Sequence, residues 1–144
     1  MPSDTENSYD RAVKFAAAAN LYLELGETNV AKQATEKAGT VDFDKNMLRE
    51  LHDSSTQMLV VVLVRVGNIN GGRQIAEKLQ KIAPPVDADA AWLAWATACA
   101  IEGKTASVER QLEKTKDART NAVLCAGVAA GLLELQQRPA GKKP

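Results

Sequence analysis

His52 is the residue of this chain best suited in type to acid–base chemistry. It lies between Leu51 and Asp53, and it is the single histidine in the sequence. A histidine beside a carboxylate can act as a general base. No partner nucleophile and no second metal ligand can be assigned to it from the sequence. We therefore interpret His52 as a surface or capping side chain.

A glycine-rich run, residues 67–72, could in principle cradle a phosphate. Phosphate loops need a preceding strand and a Lys-Ser/Thr pair after the glycines, because backbone amides and the lysine bind the anion together. The run GNINGG has neither feature. It predicts a flexible turn between two helices.

The tryptophans and cysteines complete the set of chemically capable side chains. Trp92 and Trp95 could stack on a ligand, but their helical spacing predicts that they belong to the core. Cys99 and Cys125 lie in apolar helical stretches without a CxxC pair or metal-ligand spacing. They are predicted to be buried free thiols in a reducing compartment, with a disulfide between them as the alternative. We therefore expect no catalytic residues, no metal and no cofactor, and the prediction is that the protein is not an enzyme.

Composition and charge narrow the class of partner. The chain has 144 residues, with 18 basic and 18 acidic residues and no net charge. The two signs are interleaved, whereas nucleic-acid binding needs clustered basic residues. The first eight residues lack the basic start and apolar core of a secretory signal. The apolar run Met58–Val64 is far shorter than the roughly 20 residues that span a bilayer. We expect no nucleic acid partner, no membrane insertion and a cytoplasmic location.

Three glycines punctuate the chain at similar intervals. Gly26, Gly67 and Gly103 each follow an apolar helical stretch and precede a polar turn and a second helical stretch. A repeat of this length is typical of stacked helical hairpins. The predicted fold is all-α, with about seven helices in three antiparallel hairpins and a C-terminal helix. The hairpins are assigned to residues 9–43, 44–86 and 87–120, the terminal helix to 121–137, and disordered ends to 1–8 and 138–144.

One segment of the second unit is ambiguous. The run MLVVVLVRV, residues 58–66, is rich in β-branched residues and by propensity alone resembles a buried strand. A lone strand among helices could not satisfy its backbone hydrogen bonds. We therefore predict a long helix that begins at Asp44, its N-cap, and ends before Gly67.

The order of residue types within each unit resembles the tetratricopeptide repeat, whose pattern is W-x2-L-G-x2-Y, then A-x3-F and a closing proline. In the three units the first-helix positions hold Phe15, Ala18, Ala19, Tyr22, then Thr56, Leu59, Val60, Leu63, then Trp92, Trp95, Ala96, Cys99. The second-helix positions hold Ala31, Thr35 and Ala38, then Gly72, Ala76 and the closing Pro84, then Val108 and Leu112. The resemblance covers about residues 12–120. The sequence departs from the pattern at Val60, where a small residue belongs, and at Phe43 and Thr120, where proline belongs.

The resemblance implies a binding surface on the concave face of the first helices. The residues expected there are Val13, Ala16, Asn20, Leu23, Glu24, Gln57, Val61, Val64, Arg65, Leu93, Thr97 and Ile101. This face is mostly apolar, and only Asn20 and Arg65 match the residues with which some family members clamp a carboxylate. An apolar or amphipathic segment of another protein is therefore the expected ligand, docked as a helix or as an extended peptide. The alternative is that these residues pack against one another and against the seventh helix.

The C-terminal helix raises a second question about partners. Residues 122–135 are almost entirely Ala, Val, Leu and Gly, whereas a helix that ends an array is expected to have a polar outer face. The small residues Ala126, Gly127, Ala130 and Gly131 would permit close helix approach. They predict a homodimer or partner contact, with packing onto the third hairpin as the alternative. As a whole the sequence favours a protein–protein interaction module, and the alternative is an accessory subunit, or part of a larger protein, whose activity lies on another chain.

Overall fold

A computed structural model describes residues 8–38, 55–82 and 85–138. The helices are α1 (Ser8–Glu24), α2 (Thr28–Ala38), α3 (Ser55–Arg65), α4 (Ile69–Ile82), α5 (Pro85–Ile101), α6 (Thr105–Lys114) and α7 (Ala118–Gln137). The described part of the chain contains seven helices and no strand, so the predicted all-α class is confirmed. The predicted start of the third helix at Asp44, and also His52, Phe43 and Pro84, lie outside the described residues. So do residues 1–7 and 139–144, for which disorder was predicted.

The valine-rich segment forms α3, as predicted. Val60 and Val62 are fully buried, and Leu59 and Val64 are nearly so. Consecutive residues are buried here, so the segment lacks the alternation of buried and exposed side chains that is typical of a half-buried strand. Packing against neighbouring helices overrides the β-propensity of valine. The helical partners around the segment therefore decide its structure.

The three glycines predicted to end helices adopt the same turn. Gly26, Gly67 and Gly103 have φ of 79°, 92° and 71°, in the left-handed region that glycine enters at little cost. After Gly67, the amide of Asn68 donates to the carbonyl of Leu63 at 2.8 Å, while Gly67 donates to Val64 at 3.0 Å. The same pair of bonds closes α1 and α5. A Schellman motif therefore ends the first helix of each hairpin.

The turn between α3 and α4 takes up less of the glycine-rich run 67–72 than predicted. Of this run, Gly67 and Asn68 lie between the helices, together with Val66 before it, because α4 already begins at Ile69. The side chain of Asn68 accepts the amide of Gly71 at 3.0 Å and so caps α4. A flexible loop was the wrong interpretation for Gly71 and Gly72, which lie in the first turn of the helix.

The helices pack in a regular order. The pairs α1/α2, α3/α4 and α5/α6 are hairpins, and the odd-numbered helices pack side by side in the order α1, α3, α5, α7. Helix α4 also packs on α5, and α6 on α7. The odd-numbered helices therefore form one layer, whose surface away from the even-numbered helices is the candidate site.

The tryptophans are core residues, as predicted. Trp92 and Trp95 are nearly inaccessible, and their rings meet edge to face with centroids 5.7 Å apart. Trp92 Nε1 donates to Gln80 at 3.2 Å, and Trp95 Nε1 donates to the carbonyl oxygen of Ile69 at 3.0 Å. Both indole N–H groups are thus satisfied inside the protein, which ties α5 to α4.

Helix α7 lies close against α5. A Cβ placed on Gly127 would be 2.6 Å from the Cβ of Ala96, and one on Gly131 would be 2.6 Å from the carbonyl oxygen of Thr97. The glycines predicted to permit close helix approach therefore contact the third hairpin. Ala126 and Ala130 are exposed, so the predicted homodimer would have to use the outer side of α7.

Helix α7 bears on the prediction that the chain has no membrane-spanning segment. By length and composition alone it could cross a membrane, which the run Met58–Val64 could not. Core helices of soluble proteins meet the same criterion, so α7 does not identify a membrane protein. Its glycine side is buried against α5 in the present fold.

Two predicted helix starts are corrected. α5 begins at Pro85, before residue 87, where the third hairpin was predicted to begin, because proline suits the first helical turn. α7 begins at Ala118, before residue 121, because Asp117 caps it. The N-cap of α6 is Lys104, without a side-chain bond. Leu25 and Leu132 are exposed at 75% and 45%.

The two cysteines differ in exposure, and the prediction of two buried thiols is half correct. Cys99 is buried, and burial raises the pKa of its thiol to about 12. Cys125 is free and exposed on the outer side of α7. The apolar stretch around Cys125 suggested burial, but only the glycine side of that helix meets the protein.

Candidate binding groove

The layer of odd-numbered helices contains a groove of about 1020 Å³. Its lining comes from α1, α3, α5 with the residue that follows it, and α7 with its C-cap. The lining residues are Glu24, Gln57, Val61, Arg65, Ala90, Leu93, Ala94, Thr97, Ala98, Ile101, Glu102, Glu134, Gln137 and Arg138.

The floor of the groove is apolar, and small side chains form much of it. One face of α5 supplies most of it, through Ala90, Leu93, Ala94, Thr97 and Ile101. Leu93, on the same face, is 41% exposed. A row of alanines beside an exposed leucine leaves room for side chains of another molecule.

Helix α7 forms a wall of the groove because glycines hold it against α5. The contacts of Gly127 fall near Leu93 and Ala96, and those of Gly131 near Thr97 and Ala100. Residue numbers at these contacts increase in the same direction along both helices, so α5 and α7 are parallel. This alignment brings the C-terminal end of α7 to the C-terminal end of α5.

Ion pairs join the helix ends at this side of the groove. Arg65 Nη1 lies 3.3 Å from Glu24 Oε1, and Arg65 Nε lies 3.9 Å from Glu102 Oε1. Arg65 Nη1 also donates to Asn20 Oδ1 at 3.5 Å. Arg138 Nη2 donates to Glu134 at 3.1 Å. These contacts place the ends of α1, α3 and α5 beside one another, with a charged rim around an apolar floor.

The structure brings together many, but not all, of the residues predicted to form the concave face. Those that line the groove are Gln57, Val61, Arg65, Leu93, Thr97 and Ile101, together with Glu24. Their partner-binding role stays a prediction. The expectation that they form one surface followed from helical spacing within the first helix of each unit.

The other predicted residues lie elsewhere. Val64 is only 2% exposed and belongs to the core, which corrects its assignment to the groove. Ala16 is likewise buried, while Val13 and Leu23 are partly buried against the core. Asn20 acts indirectly, through its hydrogen bond to Arg65. On α3 the predicted face was therefore one residue too wide, whereas on α1 only Glu24 of the five predicted residues lines the groove.

Sequence reasoning missed the contribution of α7 and part of α5. The lining residues not predicted are Ala90, Ala94, Ala98, Glu102, Glu134, Gln137 and Arg138. Ala90, Ala94 and Ala98 are one helical turn apart on the face that carries Leu93 and Thr97, and this spacing could have revealed them. The glutamates and Arg138 depend on how helix ends meet, which no local pattern specifies.

The remaining chemical candidates do not form a second site in the described part of the chain. Across residues 8–38, 55–82 and 85–138, no cluster of three His, Cys, Asp or Glu side chains could hold a metal ion. Cys99 is a buried free thiol and Cys125 an exposed one. Comparison of the chain with protein-family models, curated protein sequences and solved structures finds no match.

Proposed function

We propose that this chain is a non-enzymatic protein–protein interaction module that holds an apolar or amphipathic segment of another protein in the groove. The observation that carries the proposal is the groove itself, with its apolar floor on α5 and its walls from α3 and α7. Large, partly exposed apolar side chains in a concave surface are the usual mark of a binding site. Burial of Leu93 and Val61 by a ligand would supply the driving force.

We further infer that the architecture is a divergent tetratricopeptide-like array. Three hairpins whose first helices end in the same Schellman motif support this view. So does the side-by-side order of α1, α3, α5 and α7. In such an array each hairpin buries its apolar face against the next, and the first helices line a shared surface. The free thiols fit a reducing compartment, and we propose a cytoplasmic location.

Selection from a random peptide library displayed on phage tests the proposed function. The full-length chain is immobilised, and the enriched peptides are sequenced. We expect enrichment of peptides with apolar residues at helical or alternating spacing, and the spacing will separate helix docking from extended docking. Absence of any apolar enrichment would overturn the proposal.

A matched pair of variants locates the binding surface. Leu93→Glu places a charge on the groove floor, whereas Leu21→Glu makes the same change at an exposed leucine of α1 that does not line the groove. Both variants should fold, because both side chains are exposed in the free protein. We expect Leu93→Glu to abolish enrichment and Leu21→Glu to retain it. Equal enrichment by both variants would place the binding surface outside the groove.

A further inference from the structure

The groove is electrically polarised from one end to the other. The last residues of the four odd-numbered helices, Glu24, Arg65, Ile101 and Gln137, all line it. The C-terminus of a helix carries a partial negative charge of about half an electron, because the peptide dipoles of the helix are aligned along its axis. Four such ends therefore meet at the same side of the groove, which we term the acidic end.

The charged side chains reinforce this polarity. The lining contains three carboxylates, from Glu24, Glu102 and Glu134, against the two guanidinium groups of Arg65 and Arg138. One negative charge is therefore left in surplus. The lining residues farther along α3 and α5, from Gln57 and Ala90 to Val61 and Ala94, carry no charge.

The two arginines are already engaged, so they are poorly placed to recognise an anion. Arg65 contacts Asn20 and Glu24 and lies near Glu102, and Arg138 pairs with Glu134. Glu102 is different. Its carboxylate is half-buried, with 23% of the side chain exposed, and in the described part of the chain its partner is Arg65 Nε at 3.9 Å. That separation is too long for a hydrogen bond, so in the described part of the chain the Glu102 carboxylate, which lines the groove, has an ion pair but no hydrogen-bond donor.

We propose that the ligand of the groove is an apolar segment that carries a lysine or arginine at one end, with the cation held at the acidic end beside Glu102. This inference rests on the proposed function and adds the chemistry and orientation of the ligand. A cation there would interact with the surplus carboxylate and with the helix ends at once. An acidic residue at the same position would meet like charge and would be rejected.

The peptides enriched by the full-length chain test this inference directly. We expect Lys or Arg to be enriched at one end of the apolar pattern and Asp or Glu to be depleted there. The variant Glu102→Gln should select the same apolar pattern without the terminal cation. The matched control Glu109→Gln removes an exposed carboxylate of α6, outside the groove, and should select as the unmodified chain does.

A synthetic peptide from this selection gives the size of the effect. Replacing its terminal Lys by Gln should weaken binding to the unmodified chain about fivefold at low salt, the effect of one partly exposed ion pair. The same replacement should change binding to Glu102→Gln less than twofold, and added salt should reduce the difference for the unmodified chain. Apolar peptides enriched without a terminal cation would overturn this inference alone. Failure to enrich any apolar peptide would overturn the proposed function together with it.

Discussion

Gly127 of α7 lies directly against Ala96 of α5, with 2.6 Å between the Cβ of Ala96 and the place where a Cβ of Gly127 would stand. One turn later Gly131 meets the backbone of Thr97 in the same way. Glycine is required at these positions for space, because both have ordinary helical backbone conformations. This contact turns α7 from an apolar terminal helix into a wall of the groove.

Substitution of either glycine should therefore destabilise the protein. For Gly127→Ala we expect overpacking to cost about 1–3 kcal/mol, because the neighbouring atoms are a Cβ and backbone that cannot rotate away. Alanine returns about 1 kcal/mol of helix propensity, so the free energy of unfolding should fall by up to about 2 kcal/mol. Urea unfolding monitored by circular dichroism measures it. As a control, Ala129→Gly on the exposed side of α7 should cost only the propensity difference, and a stabilised Gly127→Ala would show that α7 does not dock as described.

The helix-ending glycines should behave differently, because conformation and not space demands them. A Cβ on Gly67 would meet nothing within 4 Å, but its φ is 92°. We expect Gly67→Ala to lower the free energy of unfolding by about 1 kcal/mol, and Gly67→Asn to lower it less, since asparagine tolerates the left-handed region. Thermal unfolding of the two variants checks this order. Equal losses would argue against backbone strain as the cause.

Asp117 at the start of α7 should make stability depend on acid. Its Oδ2 accepts the hydroxyl of Thr120 at 2.6 Å and its Oδ1 accepts the amide of Arg119 at 3.2 Å. The hydroxyl bond from Thr120 is the main reason that the pKa of Asp117 lies below its usual 3.8, and the bonds to backbone amides lower it further.

The sign of the effect follows from the lowered pKa. The folded protein stabilises the ionised carboxylate of Asp117, whereas the unfolded chain does not. This stabilisation is therefore present above pH 3.8 and is lost as the pH falls through the pKa of the folded state. We expect the unmodified chain to be more stable than Asp117→Asn at neutral pH, with the difference shrinking below pH 3.8. Unfolding curves of both proteins over this range test it. A difference that is constant with pH would exclude the Asp117 carboxylate as the source.

The two cysteines should react with thiol reagents at very different rates. Cys125 is exposed, whereas Cys99 is buried and its pKa is raised to about 12, so almost none of it is thiolate at neutral pH. A disulfide-exchange reagent should modify Cys125 rapidly in the native protein and Cys99 only after unfolding in guanidinium. Cys125→Ser should leave the native protein unreactive. Rapid modification of Cys99 in that variant would show that α5 is less well covered than described.

The sequence allowed much of the fold to be predicted, because its signals are local. Gly26, Gly67 and Gly103 mark helix ends, and the stripe around Trp92 and Trp95 marks the described helix with the largest number of buried residues. The valine-rich α3 required an argument about context, since its residues alone favour a strand. Helix starts such as Asp117 were missed because several polar residues nearby can serve as caps, and tertiary contacts decide among them.

The groove was only partly predictable, for a different reason. Adjacent residues of one helix can face the groove and the core, as Arg65 and Val64 do, so the edge of the groove is difficult to predict from spacing. The positions of Glu102 and Glu134 depend on the alignment of helix ends that are far apart in sequence. That alignment is set by the glycine contacts of α7, which were interpreted as a possible dimer surface. The groove residues that were not predicted are those whose position depends on how closely two helices pack.

Mapping of backbone amide signals by NMR tests the central claim, that the ligand lies in the groove, most directly. The 15.4 kDa chain is suited to this measurement, with an apolar peptide obtained by selection added to the labelled protein. We predict that the largest shifts occur at Val61, Leu93 and Thr97 and at the end of α7, with little change along α2 and α6. Shifts concentrated on the outer side of α7 or on the even-numbered helices, with Leu93 and Thr97 unchanged, would contradict the account.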